Sequence, residues 1–244
     1  MQVIGGLAFV NQVTFFSRRF RVTARASKDR ILVSYHRSSG NRAGKLYDIP
    51  VVRGLVRIFT LLLGTKVTWI LLAGLAAVDI SLTLLFDFNN QFLGVSWPIF
   101  GLFTPVDLIL FPLVVIFIKH FVGKSHGAEH KVFNTWLKGK EITFENVNSA
   151  SRVSARCGTN LVVFIILLNL PLALFLPAYI TPLLSVALGY ELFKSNNKII
   201  RGISRFLCKI GGVLQYLLFT SEPTEKELNL AIKAFNKLVE LESI

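Results

Sequence analysis

Residues 67–86 read VTWILLAGLAAVDISLTLLF, an apolar run on which the predicted fold depends. The run contains no Lys or Arg and one acidic residue, Asp79. An α-helix needs about 20 consecutive apolar residues to cross the hydrocarbon core of a bilayer. The run therefore predicts a first membrane-spanning helix.

Three further apolar segments complete the predicted membrane region: residues 97–118, 161–178 and 181–193. The first is interrupted by three prolines, and the last is short for a crossing. We expect the last two to form a tight hairpin, with a re-entrant segment as the alternative. The predicted fold is a mainly α polytopic membrane protein with about four transmembrane helices plus interfacial helices, preceded by a small N-terminal β-hairpin region.

The basic residues are segregated along the chain. All Lys and Arg fall within residues 1–66, 119–156 and 194–237, and the net charge is +13. Such segregation follows the positive-inside rule, so we expect a multi-pass protein with cytoplasmic N- and C-termini. The basic face predicts an anionic lipid headgroup surface as a partner. No nucleic-acid recognition motif accompanies the charge, so nucleic acid is not expected to bind.

These patterns divide the chain into five regions. Residues 20–26 and 30–36 alternate in polarity and predict the β-hairpin. Residues 199–219 predict an amphipathic helix. The regions are a cytoplasmic β-rich region (1–49), an interfacial helix with the first transmembrane pair (50–118), a cytoplasmic loop (119–160), a second transmembrane hairpin (161–193), and amphipathic and C-terminal cytoplasmic helices (194–244). The last helix begins near Thr224, and its predicted packing face is Leu228, Ala231, Phe235 and Leu238.

His126-Gly-Ala-Glu129-His130 predicts a metal site in the central loop. On a helix these three side chains share one face, because they lie at positions i, i+3 and i+4. Two imidazoles four residues apart commonly begin a divalent-metal site, and the H-x-x-E-H order resembles one class of zinc-peptidase motif. The alternative is a polar network in which the histidines bind carboxylates or carbonyls.

A catalytic zinc site needs a third protein ligand. Cys157 is the best candidate, followed by Glu191 and His120. Cys157 is alternatively a small buried structural thiol. Carboxylates within apolar runs, such as Asp107, are also candidate functional groups.

Several short strings together resemble the YqhQ-like proteins. They occur along nearly the whole chain and in the same order: Ile4-Gly5-Gly6, Pro50, Arg53-Gly54, His126-Gly-Ala-Glu-His-Lys131, Arg156-Cys-Gly-Thr159, Tyr190-Glu191 and Glu222-Pro223-Thr224. The resemblance implies a bacterial inner-membrane protein of largely unknown function, of a kind described as predicted metal-dependent enzymes.

The chain departs from this family pattern at two positions. Asn11 stands where the family has an acidic residue, and Ser154 stands where it has a histidine. Serine and asparagine are poor zinc ligands, so a site that depended on either position would bind zinc weakly.

The leading hypothesis is a metal-dependent hydrolase with its site at the cytoplasmic membrane face. His126 and His130 would bind a divalent metal, zinc being favoured, Cys157 or Glu191 would complete the ligand set, and Glu129 would be the general base. The alternative is a non-catalytic membrane scaffold or regulator with a degenerate metal site and a protein partner. Transport of a small solute is a weaker third hypothesis, because no inverted repeat is evident.

Overall fold

The computed structural model describes residues 3–27, 30–37, 49–56, 107–177, 180–195 and 197–243. The chain divides into two units. The first unit comprises Met1–Arg42, Val114–Asn160 and Lys209–Ile244, and the second comprises Ala43–Leu113 and Leu161–Cys208.

A four-stranded antiparallel sheet begins the first unit. Its strands are β1 (Val3–Phe9), β2 (Gln12–Ser17), β3 (Phe20–Ser27) and β4 (Arg30–Arg37), hydrogen-bonded in that order. The predicted hairpin falls on β3 and β4, which pair from Phe20↔Arg37 to Ser27↔Arg30. We did not predict β1 and β2. Phe9 pairs with Gln12, so Val10 and Asn11 form the turn between those strands.

Helices make up most of the remaining described residues. They are α1 (Asp107–Phe121), α2 (Gly123–Leu137), α3 (Phe144–Asn148), α4 (Gly158–Leu172), α5 (Thr181–Lys194), α6 (Lys198–Leu214) and α7 (Glu225–Ser243). A π-helical turn, Gln215–Phe219, follows α6 directly. The boundaries between the two units fall within α1, α4 and α6.

The core of the first unit lies between one face of the sheet and helices α2 and α7. The apolar core residues of β2 and β3 alternate along each strand, because successive side chains of a strand point to opposite faces. Phe15 and Phe235 meet edge to face, with ring centroids 5.1 Å apart. The predicted packing face of α7 is confirmed, since all four of its members are buried. The sheet contributes Val13, Phe15, Val22 and Ala24, and the helices contribute Ala128, Val132, Phe133, Leu228, Ala231, Phe235 and Leu238.

The start of α7 follows its sequence signal. The carboxylate of Glu227 accepts a hydrogen bond from the backbone N–H of Thr224 at 2.9 Å, and the Thr224 hydroxyl also bonds to it. This is the return half of a capping box, which satisfies a donor that the helix itself cannot.

The prediction of a polytopic membrane fold is wrong for the described part of the chain. None of the helices described is both long enough and apolar enough to cross a bilayer. Of the predicted second pair, α4 has 15 residues and α5 has 14, or about 22 Å and about 21 Å of helix against a core about 30 Å thick. The finding also contradicts the predicted multi-pass location in the inner membrane.

Local geometry explains the error. Residues 161–178 are almost entirely apolar, so their mean hydropathy predicts one continuous helix. In the structure α4 ends at Leu172, one residue after Pro171, and turns follow. The predicted first span, residues 67–86, and the beginning of the second, residues 97–106, lie outside the described residues. So does Asp79.

The second unit contains an ion pair between Arg53 and Glu191, which belong to two of the short family strings. The guanidinium of Arg53 binds the Glu191 carboxylate, with Nε 2.7 Å from Oε1. The Val51 N–H donates to the same oxygen at 3.1 Å. A Cβ on Gly54 would lie 2.7 Å from the Cβ of Tyr190. Residues 52–56 are helical, and the rest of the interfacial helix predicted to begin at Pro50 lies outside the described residues.

The predicted amphipathic segment forms α6 and the π-helical turn. Its apolar stripe is exposed at Ile199, Ile203, Phe206, Ile210, Val213 and Leu217. The predicted partners, an anionic lipid surface and a protein, are not tested by this exposure and stay predictions.

Candidate metal centre

Helix α2 brings the His126-Gly-Ala-Glu129-His130 side chains together within the first unit. The imidazole centroids of His126 and His130 lie 4.3 Å apart. Glu129 and His130 are buried, with 6% and 3% of their surfaces exposed. Polar groups buried this deeply need partners, which other parts of the first unit supply.

The imidazole of His126 is oriented by the π-helical turn. Its Nδ1 lies 3.0 Å from the backbone oxygen of Phe219. A carbonyl oxygen can only accept a hydrogen bond, so Nδ1 is the protonated nitrogen in the neutral ring. The lone pair of the neutral imidazole is therefore on Nε2, the nitrogen that faces Cys157.

His130 is oriented in the same way by a different segment. Its Nδ1 donates to the backbone oxygen of Arg152 at 2.6 Å. Its Nε2 lies 3.6 Å from Oε2 of Glu129. Both histidines thus have Nδ1 bound to a backbone carbonyl and Nε2 available as a ligand.

Cys157 is the third ligand-bearing residue at this place. Its Sγ lies 3.6 Å from Nε2 of His126 and 3.3 Å from the hydroxyl of Thr159. Burial opposes ionisation of the thiol, but a hydrogen bond and the positive charge of His130 in its protonated form, with hydrogen bonds from Thr159, outweigh it and lower the pKa of Cys157 below its ordinary value. A thiolate is the ligand form of cysteine.

The ligand atoms of His126, His130 and Cys157 all lie within 4.8 Å of one another. This spacing is close to that of donors that share one ion, because two ligands about 2.0–2.3 Å from zinc are separated by about 3.3–3.8 Å in tetrahedral geometry. A search of the described residues for three or more His, Cys, Asp or Glu side chains that could bind one metal ion gives this cluster.

Glu129 adds a buried carboxylate beside the three donors. Burial raises its pKa to about 7, although the charge of His126 opposes the shift. The carboxylate occupies space left by Gly6 on β1, where a Cβ would overlap Oε1 of Glu129. A glycine of the first strand therefore makes room for a polar group on α2.

The segment that carries Cys157 is fixed by buried amides. Gln215 Oε1 accepts from the backbone N–H of Ser154 at 2.9 Å. Its Nε2 donates to Asn160 Oδ1 at 2.9 Å and to the backbone oxygen of Ser154 at 3.1 Å. Gln215 and Asn160 are fully buried. These hydrogen bonds join the residues on either side of Cys157 to the π-helical turn that orients His126.

The other residues singled out in the sequence do not belong to the cluster. The carboxylate of Glu191 belongs to the second unit and is bound by Arg53. His120 lies exposed on α1. Asn11 has a left-handed φ of 53° in the β1–β2 turn, a conformation that asparagine tolerates. Ser154 is buried and contributes backbone bonds to Gln215.

Sequence reasoning missed the groups that orient the ligands. Gly6 appeared in a family string but had no assigned role, and Asn134 and Gln215 were not considered. The available signal was a polar amide inside an apolar segment, as in Leu214-Gln215-Tyr216, which requires a buried partner. No sequence pattern identifies the carbonyls of Arg152 and Phe219 as partners of the histidines, because every residue has a backbone carbonyl.

Comparison with known proteins gives a family but no activity. A family model described as "Protein of unknown function (DUF1385)" matches residues 59–241. The uncharacterized protein YqhQ of Bacillus subtilis (strain 168) is 31% identical over 172 residues, which cover 66% of this chain and 53% of that protein. The chain thus spans about half the length of this curated relative. No solved structure matches.

Proposed function

We propose that this chain, which belongs to the DUF1385 family of proteins of unknown function, is a metal-dependent protein. The match to YqhQ confirms the resemblance predicted from the short strings. In the proposal, Nε2 of His126, Nε2 of His130 and Sγ of Cys157 bind one divalent cation, for which zinc is the best fit.

The observation that carries the proposal is the orientation of both imidazoles. Each Nδ1 is hydrogen-bonded to a backbone oxygen, at 3.0 Å for His126 and 2.6 Å for His130. Metal-binding histidines characteristically donate their other ring N–H to a carbonyl or carboxylate, which fixes the tautomer and the ring orientation. A polar network without a metal would not require one ring nitrogen of each histidine to lie within 4.8 Å of one thiol.

The donor set favours zinc over magnesium or calcium. Imidazole and thiolate are ligands of borderline and soft character, whereas magnesium and calcium prefer oxygen. Catalytic zinc sites characteristically have three protein ligands, the number that this cluster would supply, whereas structural zinc sites have four.

Glu129 gives the proposed site a hydrolytic character. A zinc ion held by the three donors would supply Lewis acidity and lower the pKa of water, which is the chemistry of metal-dependent hydrolysis. In the proposal the Glu129 carboxylate, whose Oε2 lies 3.6 Å from Nε2 of His130, would accept a proton as the general base. The proposed reaction class is therefore hydrolysis.

A non-catalytic scaffold or regulator is the alternative, and it shares the metal site with the hydrolase. The two differ in what Glu129 does. In a scaffold, Glu129 would only fill the space at Gly6 and help to hold His130. A hydrolase needs its carboxylate for turnover.

Metal content tests the site itself. The full chain should be purified without added chelator and its zinc determined by elemental analysis. We expect about one zinc per chain, and a large loss in the His126→Ala/His130→Ala variant. His120→Ala is the matched control, because His120 is exposed and outside the cluster. Zinc that is substoichiometric and equal in all three proteins would refute the metal site.

Hydrolysis of p-nitrophenyl acetate by the zinc-loaded chain tests the reaction class. We expect Glu129→Gln to keep its zinc and to lose about 10²-fold or more of the zinc-dependent rate, the usual contribution of a general base. Equal rates for the two zinc-loaded proteins would favour the scaffold.

A further inference from the structure

Asn134 lies one helical turn beyond His130 on α2, and its side chain holds the segment that faces the candidate metal centre. The Asn134 Nδ2 donates to the backbone oxygens of Ser151 and Val153, both at 2.8 Å. Between them, the backbone oxygen of Arg152 accepts from Nδ1 of His130 at 2.6 Å. Three consecutive carbonyls of one segment are therefore bound by two side chains of α2.

The two donor protons of the Asn134 amide match the two carbonyls that it binds. An asparagine NH₂ group has two protons, and here each has a carbonyl partner on either side of Arg152. Lys131 fixes the start of the same segment, since its Nζ donates to the backbone oxygen of Asn148 at 2.7 Å. Residues 149–157 contain no helix or strand, so side-chain hydrogen bonds rather than a backbone ladder fix the carbonyls of Ser151, Arg152 and Val153.

The segment has two roles in the candidate centre. It supplies the Arg152 oxygen that keeps the proton of His130 on Nδ1, and it continues through Ser154 to Cys157. Displacement of its backbone would affect both the tautomer of one donor and the location of another. The Asn134 amide donates to the carbonyls of Ser151 and Val153 and not to a ligand atom, so its effect would be exerted through these neighbours.

We propose that Asn134 is a positioning residue of the metal centre. By binding the carbonyls of Ser151 and Val153, it fixes the Arg152 carbonyl against His130 and so presents Nε2 of His130 toward Cys157. The inference rests on the proposed metal site but extends to a residue outside the ligand set. Groups that orient ligands in this way usually contribute about 10–100-fold to metal affinity.

Two variants test the proposal in the full chain. Asn134→Ala removes both donors. Asn134→Asp keeps the shape but turns a carboxylate oxygen toward carbonyl oxygens, which cannot donate to it. Asn146→Ala is the matched control, because the Asn146 amide also donates to a backbone oxygen, that of Glu141 at 3.1 Å, without contacting the centre. We expect zinc affinity to fall about 10–100-fold in both Asn134 variants and to be unchanged in the control.

Imidazole tautomers supply a readout that a general loss of stability would not move. The chain has four histidines, so ¹⁵N-histidine labelling and long-range ¹H–¹⁵N correlation spectra, assigned with His130→Ala, separate their ring nitrogens. In the metal-free protein we expect His130 to be protonated at Nδ1, and to gain the Nε2-protonated form in the Asn134 variants. The His126 signals should keep their Nδ1-protonated pattern.

The tautomer measurement needs no metal, so it separates failure of this proposal from failure of the proposed function. A wild-type chain that binds no zinc would refute the metal site, while the His130 spectra would still decide the role of Asn134. Unchanged His130 tautomer and unchanged zinc affinity in both variants would overturn the proposal. Loss of the helical circular dichroism signal in both variants would also overturn it, because Asn134 would then be required for folding as a whole.

Discussion

Gly6 on β1 leaves the space that the carboxylate of Glu129 occupies on α2. A Cβ at Gly6 would overlap Oε1 of Glu129, whereas a Cβ at the neighbouring Gly5 would meet nothing within 4 Å. Both glycines lie on the same strand, so the difference comes from what packs against each.

Gly6→Ala should therefore displace Glu129. We expect a cost of about 1–3 kcal/mol in the free energy of unfolding, the usual range for overpacking, and a loss of zinc-dependent esterase rate. Thermal unfolding and the esterase assay measure the two effects. Gly5→Ala is the control and should leave both unchanged. Equal stability and equal esterase rate in Gly6→Ala and Gly5→Ala would show that Glu129 can move away from a Cβ at Gly6 without effect on folding or activity.

Gly127→Ala should disturb His126 through the segment that follows the π-helical turn. A Cβ on Gly127 would overlap the backbone oxygen of Ser221, in the segment that follows the Phe219 carbonyl. Backbone cannot move aside as cheaply as the end of a side chain, so the bond from His126 Nδ1 to Phe219 should weaken. We expect lower zinc affinity and a shift of His126 toward the Nε2-protonated tautomer.

The control for this substitution is Gly202→Ala, since a Cβ at Gly202 meets nothing within 4 Å. Gly202 lies inside α6, where alanine is favoured over glycine by about 1 kcal/mol. Zinc affinity should not change in Gly202→Ala. An unaffected affinity in Gly127→Ala as well would contradict the importance of this close approach.

Zinc should protect one of the two cysteines from alkylation. Cys157 lies in the cluster, and its pKa is lowered, whereas burial raises the pKa of Cys208. In metal-free protein near pH 7 we expect iodoacetamide to modify Cys157 faster, because the thiolate is the reactive form. Added zinc should suppress modification of Cys157 and leave that of Cys208 unchanged. Peptide mass spectrometry measures both, and equal protection would argue against Cys157 as a ligand.

The Arg53–Glu191 pair should make stability depend on acid pH. The hydrogen bond from Arg53 holds the pKa of Glu191 below its ordinary value, with a further contribution from the Val51 N–H. Because the folded-state pKa is the lower one, the stabilisation is present above the ordinary carboxyl pKa and is lost as pH falls through the folded value.

Glu191→Gln removes the titrating group. We expect unfolding midpoints measured from about pH 5 to about pH 3 to fall less steeply in this variant than in the wild type. Glu145→Gln, a change at an exposed carboxyl, should keep the wild-type slope. A wild-type slope in Glu191→Gln would mean that the pair contributes nothing to acid sensitivity.

Local sequence patterns predicted what local geometry decides. The i, i+3, i+4 spacing of the motif placed His126, Glu129 and His130 on one side of α2, and the apolar spacing of α7 identified its buried face. Hydropathy failed for α4 and α5, because helix length depends on where the backbone turns. Apolar composition alone carries no such information.

By itself, the sequence determined that two imidazoles and a carboxylate would meet on one helix, because side chains three and four residues apart are neighbours there. Only the tertiary structure decided that Cys157 joins them, that Glu191 is bound by Arg53, and that Gly6 makes room for Glu129. The carbonyls of Arg152 and Phe219 also reach the histidines only through folding. Those contacts join residues far apart in the chain. Their geometry depends on the path of the backbone between those residues, which the residue types at the contacts do not specify.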